Sequence, residues 1–247
     1  MPKTPQRQPD LAEWERVLAA AVALQRLLPE ATLVGGTAAA IHAGHWRSVV
    51  ADHVIEDLAS RFDRVRSDLD HAAGWQVARE KRPVILMGSL DGVLTTVRNL
   101  IRQKPLETVE VETANGKLRV PTRAEILRIK TYLAAIRRNA TRDYLDVAAL
   151  ADGMSDAQIL KALAPMDQLY PQAGDPGAVR LQLIRRLADP RPYDLDDVDL
   201  REYKGIQAPW TAWDAVVKEC RRVAVLMAGA VAVRRAGWTD VRGSSKS

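Results

Sequence analysis

Two stretches of the chain carry residue types suited to phosphate chemistry. The first is LVGGTAAAIHAGHWRSVVADH, residues 33–53. A glycine pair lets backbone approach an anion closely, because no Cβ intervenes. A helix starting at Thr37, with the threonine as its cap, would add free amides and the positive end of its dipole. On the strand that follows, alternation puts Ser48, Val50 and Asp52 on one face and Val49, Ala51 and His53 on the other. Two-metal phosphoryl transfer would need carboxylates at positions 50 and 52 of that face. Asp52 is present, but Val50 offers an isopropyl group, which cannot replace an oxygen ligand. The second stretch is TRDYLD, residues 141–146, preceded by Lys130. Asp143 and Asp146, three apart, share a helix face. Asp143 also suits first-turn stabilisation after a Thr141 cap. Lys130 lies among Ile126, Leu127, Ile129 and Leu133, where a lysine can snorkel.

His42, His45 and His53 with Asp52 invite a zinc reading. No cysteine joins them, and the spacing of His42 and His45 across a short helix is poor for a closed tetrahedral set. His53 is expected to point away from Asp52, into a core.

The elements around these residues change character along the chain. Residues 10–28 repeat apolar positions at helical spacing (Leu11, Trp14, Val17, Leu18, Ala21, Leu24, Leu28). Then come a short strand at TLV, a strand over 49–55, a helix over 56–72 and five strand-like pieces. The last two of these, ETVEVET and KLRV, are joined by ANG, a hairpin signal. From Pro121 the pattern is helical. Thr122-x-x-Glu125 and Ser155-x-x-Gln158 read as capping boxes, and helices are expected at 123–138, 141–152, 156–169, 176–188 and 211–235. The C-terminal RGSSKS reads as disordered. The expected fold is α+β: an α/β domain over 1–120, with a mixed sheet and helices, followed by an all-helical domain over 121–247.

Composition narrows the setting. A single cysteine, Cys220, excludes an internal disulfide and suits a reducing compartment. The N-terminal MPKTPQRQPD has no apolar segment after its basic residues, so no secretion signal is expected, and the apolar run Val223–Val233 is too short to span a bilayer. A cytoplasmic protein without a membrane partner is expected. The net charge of +5 is uneven. Arg123, Arg128, Lys130, Arg137, Arg138 and Arg142 crowd residues 121–142 against Glu125 alone, an excess suited to nucleotide or RNA phosphate.

Together, GGTAAAIHAGHWRSVVAD and EILRIKTYLAAIRRNATRDYLDVAAL resemble the two motif blocks of the AbiEii/AbiGii-type nucleotidyltransferases, the MenT-like toxins of bacterial toxin–antitoxin pairs. The family's first block is a GGT turn, a short helix and R-S-x-D-x-D. Its second is a lysine-bearing helix followed by Arg-Asp-x-x-Asp. The resemblance implies a polymerase-β-like nucleotidyltransferase domain with a helical C-terminal domain. It further implies magnesium and a nucleoside triphosphate as substrate, with an RNA acceptor, the tRNA 3′ end, and a cognate antitoxin as partners. By position, Gly35, Gly36 and Thr37 would hold the triphosphate and Ser48 would line the site. Asp52 would bind metal, Lys130 would contact phosphate, and Asp143 and Asp146 would face the site. Arg137, Arg138 and Arg142 would serve the RNA. The departure is Val50, where the family carries a metal-binding acid. It leaves open a degenerate member, another ligand such as Glu56 or Asp146, or an inactivating substitution. Transfer to a protein hydroxyl, or binding without turnover, are the alternatives.

Overall fold

The computed structural model describes residues 7–173 and 177–243. The chain divides into two compact units: one runs up to Ile126 and includes Asp199–Thr211, the other comprises Leu127–Val198 and the chain from Ala212 on. The expected boundary at residue 120 falls six residues short of this division. The return of 199–211 to the first unit is not visible in hydropathy, since that segment has only two short 3₁₀ turns' worth of regular structure near it.

The first unit is built on a five-stranded mixed sheet. Its elements are α1 (Arg7–Leu27), β1 (Thr32–Leu33), α2 (Gly35–Ala43), β2 (Val50–Ile55), α3 (Leu58–Asp70), β3 (Trp75–Lys81), β4 (Ile85–Leu90) and β5 (Val93–Asn99). The hairpin β6 (Thr108–Thr113) and β7 (Gly116–Pro121) follows, its turn at the expected ANG. Strand order is β1-β2-β5-β4-β3. β2 and β5 are parallel, and the other neighbours are antiparallel. Alternation assigns the faces. Ala51, His53 and Ile55 of β2 are buried, whereas Val50, Asp52 and Val54 are half-buried. Leu24, Leu28, Ile55, Phe62, Leu86 and Val97 form one core. Val17, Ala21, Leu33, Ala51, Val93 and Val120 form a second beside it. Burial of these apolar side chains is the main force holding α1 and α3 to the sheet.

The second unit is helical, beginning within α4 (Arg123–Tyr132) and continuing through α5 (Thr141–Asp152), α6 (Asp156–Leu163), α7 (Met166–Leu169), α8 (Ala178–Ala188) and α9 (Trp213–Gly243). Several local expectations are corrected. The helix expected over 123–138 stops at Tyr132 and gives way to a π-helical turn, Leu133–Arg137, where Arg138 and Asn139 both donate to the Leu133 carbonyl. Pro165, which lacks an N–H to continue a ladder, splits the expected 156–169 helix into α6 and α7. Thr122 accepts the Glu125 amide at 3.2 Å, as a capping box requires, and the Glu125 carboxylate pairs with Arg102 at 2.8 Å, both nearly sealed from solvent. At Ser155–Gln158 the capping box is complete. The helix α9 runs through Arg242 and Gly243, the start of RGSSKS, and residues 244–247 lie outside the described residues. Among the described residues no helix is long and apolar enough to cross a membrane.

Candidate active site

In the first unit, the candidate face is assembled by the pairing of β2 with β5 and by the turn entering α2. Parallel register sets Thr96 opposite Asp52, and the Thr96 hydroxyl donates to Asp52 Oδ1. The turn places Gly35 directly against the same carboxylate. A Cβ on Gly35 would come within 2.9 Å of Asp52 Oδ2, and the residue has φ +73°, so a side chain is excluded by both contact and backbone. Gly36 has a different reason: its Cβ would meet the Trp46 ring at 2.7 Å. The ring itself sits edge-on to Tyr203, centroids 5.1 Å apart. Return of the 199–211 segment fixes this arrangement, with Arg47 N donating to Lys204 O at 2.7 Å and Gln207 N to His45 O at 3.1 Å.

Thr37 does not cap α2. The helix starts two residues earlier, with Val34 at the N-cap position, and the Thr37 hydroxyl instead donates to the Val50 carbonyl at 2.5 Å. This bond ties the first turn of α2 to the strand that bears Asp52. Ser48 is buried beside the same backbone, its Oγ 3.4 Å from both Val50 N and Val50 O. Gly35, Gly36, Thr37, Ser48, Val50 and Asp52 are thus gathered in one place. Thr96 and Trp46 belong with them and had no sequence signal, because a threonine in a strand and a tryptophan after a helix are ordinary residues there.

The magnesium fit can be tested on this donor set. Asp52 is the one carboxylate of the row, one of its oxygens already accepts a hydrogen bond, and Val50 contributes none. Glu56, beyond the end of β2, is exposed. Among the described residues no group of three or more His, Cys, Asp or Glu side chains is placed to hold a metal ion. The set does not fit a paired-carboxylate magnesium site. The histidines are dispersed as well. His42 Nε2 is 2.7 Å from Pro121 O, His45 is next to Trp46, and His53 lies on the core face of β2, where burial holds its pKa down to about 4.

In the second unit, Lys130, Asp143 and Asp146 form a sealed cluster. Lys130 is 1% exposed and both aspartates 0%. The ammonium lies 2.9 Å from Asp143 Oδ1 and 2.5 Å from Asp146 Oδ2. Burial works to lower the lysine pKa, but attraction to Asp146 and Asp143 and their hydrogen bonds outweigh it, so the group is held charged. Asp143 Oδ2 is buried without a hydrogen-bond partner among the described residues. Thr141 is not the cap of α5: Ala140 holds that position, and Thr141 N and Oγ1 both donate to Asp194 Oδ1, at 2.7 and 2.8 Å. Arg137, Arg138 and Arg142 are exposed.

Comparisons with known proteins are of two kinds. No family model matches the chain. Over 128 residues, 51% of this chain, it is 41% identical to the heme uptake protein MmpL11 of Mycobacterium tuberculosis. Over 129 residues it is 40% identical to the mycolic acid-containing lipids exporter MmpL11 of Mycolicibacterium smegmatis. The chain covers only 13% of the length of either relative. Among solved structures it aligns with an H. pylori protein described as a nucleotidyltransferase, at TM-score 0.49 and 16% identity over 89% of this chain and 95% of that one. It also aligns with ANT(2″)-Ia in complex with adenylyl-2″-tobramycin, at TM-score 0.48 and 11% identity over 63% of this chain and 98% of that one. Both scores lie under 0.5, and the functional reading below is carried by the chain's own residues.

Proposed function

We propose that the chain is a nucleotidyltransferase-type protein of the toxin class described above, which holds a nucleoside triphosphate at Gly35, Gly36 and Thr37 and directs it to an RNA acceptor, the 3′ end of tRNA. A cognate antitoxin is its expected protein partner. The observation that carries this reading is the contact between the Gly35 turn and the Asp52 carboxylate, with Thr96 fixing that carboxylate from the neighbouring strand. Such an arrangement orients a single acid at an anion-binding turn. Ser48 lines the same place. Lys130, Asp143 and Asp146 of the helical unit are further candidates, Lys130 as a phosphate contact. For the lysine to serve a ligand it must loosen its hold on one of two buried carboxylates.

The missing acid at position 50 decides how far the chemistry goes. When bound beside paired carboxylates, magnesium offsets the charge that develops on a transferring phosphoryl group. This chain's residues bind and orient the triphosphate but do not complete that metal set. A nucleotide-binding protein with turnover crippled is therefore favoured over a fully active transferase, and the protein-acceptor alternative has less support because residues 121–142 are so basic.

Val50→Asp tests the proposal. Val50 shares a face with Asp52, so the aspartate restores the pair. Gain of labelled nucleotide transfer to RNA, by orders of magnitude for a ligand that contributes several kcal/mol, is expected. So is slowed growth of an expressing host that lacks an antitoxin. Robust transfer by the Val50 protein, or a Val50→Asp protein that binds nucleotide and magnesium yet stays inert, would overturn it.

A further inference from the structure

Asn139 ties together three segments of the helical unit, and five exposed arginines lie on the elements that adjoin it. Asn139 has φ +53° and follows the π-helical turn. Its carbonyl accepts the Tyr193 amide at 3.0 Å, its Nδ2 donates to Arg191 O at 2.8 Å, and its Oδ1 accepts the Tyr144 hydroxyl at 2.7 Å. The two hydrogen bonds that Thr141 donates to Asp194 add to this. The loop after α8 is thereby fastened on both sides of Tyr193, while the ring is left outside. At 74% exposure it is the most exposed of the large hydrophobic side chains among the described residues. An aromatic ring kept in water by so many anchoring bonds is a candidate contact surface.

The charges around it are one-sided. Arg137 and Arg138 leave the π-helical turn, Arg142 is in the first turn of α5, and Arg185 and Arg186 lie in the last turn of α8, which packs on the π-helical turn. All five are exposed, and none has an acidic partner among the described residues. Burial pushes the Tyr144 phenol up to about 12, against the opposing pull of the Arg186 charge. The loop's own acids are partly spent. Asp189 pairs with Arg191 at 2.7 Å, and one oxygen of Asp194 is taken by Thr141. Asp196 and Asp197 remain, against five arginines.

We propose that this surface binds single-stranded RNA, with Tyr193 stacking on a base and Arg185 and Arg186 joining Arg137, Arg138 and Arg142 on the phosphates. The proposal rests on the RNA reading given above and extends it to three residues that the basic run at 121–142 does not include. Arginines alone would suit duplex RNA, or an acidic protein, equally well. The exposed ring distinguishes a strand whose bases are free to stack.

The test is fluorescence anisotropy on the full chain, with a short unstructured RNA, the same sequence as a duplex, and polyglutamate, over a range of salt. The unmodified protein should prefer the single strand. Tyr193→Ala should weaken that binding about tenfold, since a stacked base contributes roughly 1–3 kcal/mol, and leave the duplex unaffected; Tyr193→Phe should restore it. Arg185→Gln with Arg186→Gln should reduce the salt slope by about 1.4, from roughly 0.7 per phosphate contact on a single strand. Thermal melts check that these surface variants fold. Salt-dependent RNA binding unchanged in the Tyr193 and Arg185/Arg186 variants overturns the proposal and leaves the RNA reading standing. Binding of polyglutamate equal to RNA overturns it in favour of an acidic protein partner. Absence of RNA binding by the unmodified protein overturns the RNA reading itself.

Discussion

The Asp52–Thr96 row of the sheet and the Lys130–Asp143–Asp146 cluster of the helices are built from similar polar residues and live under opposite rules. Asp52 is half-buried and keeps one oxygen beside the Gly35 turn, with a neutral hydroxyl as its partner. Water can still reach that carboxylate. The lysine cluster has no water to draw on, so its charges are held by one another. Partial exposure leaves a group available to a ligand. Full burial commits it to a partner or, as with His53 on the reverse of β2, to the neutral form.

The largest expected effect follows from the sealed cluster. Lys130→Ala strands two buried carboxylates and should cost about 3–5 kcal/mol of stability in urea unfolding. A loss under about 1 kcal/mol would mean that water reaches the cluster, and the contrast with Asp52 would collapse. Triphosphate affinity of this variant is informative only where it is folded; a loss there of roughly 1.5–3 kcal/mol is expected if Lys130 contacts phosphate.

Next comes the pH response of His53. Its pKa falls from 6.5 to about 4 in the folded protein. Above pH 6.5 neither state holds the proton and there is no effect. Between 6.5 and about 4 only the unfolded state takes it up, so stability declines on acidification, by about 3 kcal/mol in full. Unfolding midpoints across that window should show the slope in the unmodified protein and a reduced one in His53→Gln. The smallest effect belongs to the open row. Thr96→Val removes one hydrogen bond from a carboxylate that water can still reach, and should cost about 1 kcal/mol or less. A loss above about 2 kcal/mol would place Asp52 with the sealed groups.

Much of this was legible from residue types and period. The alternation of β2 correctly separated Asp52 from His53, because a strand has only two faces and Ala51, His53 and Ile55 needed the core. The hairpin at ANG and the change to helices near Pro121 were readable for the same local reasons. Thr96 was not, since its role depends on which strand lies beside β2 and in what register. Nor was the sealing of Lys130: a lysine at i+4 from Ile126 looks alike whether its ammonium escapes to water or meets two acids thirteen and sixteen residues on. The early start of α2 was hidden by Gly35 and Gly36, which read as a turn and serve as its first residues. Tyr193 was obscured by its acidic, proline-rich surroundings, whose residue types carry neither a helix nor a strand period.

The return of Asp199–Thr211 to the first unit also bears on how the chain is made. The loop that carries Trp46 finds its Lys204 and Gln207 partners about 160 residues downstream. During synthesis the sheet can form as soon as β5 has left the ribosome, yet Trp46 must wait uncovered until the helices have emerged and the chain has come back. A truncation after residue 126 would keep every strand of the sheet and still lack Tyr203. The Trp46 side of the glycine turn therefore gains its cover last, after the strands of its own unit have been made.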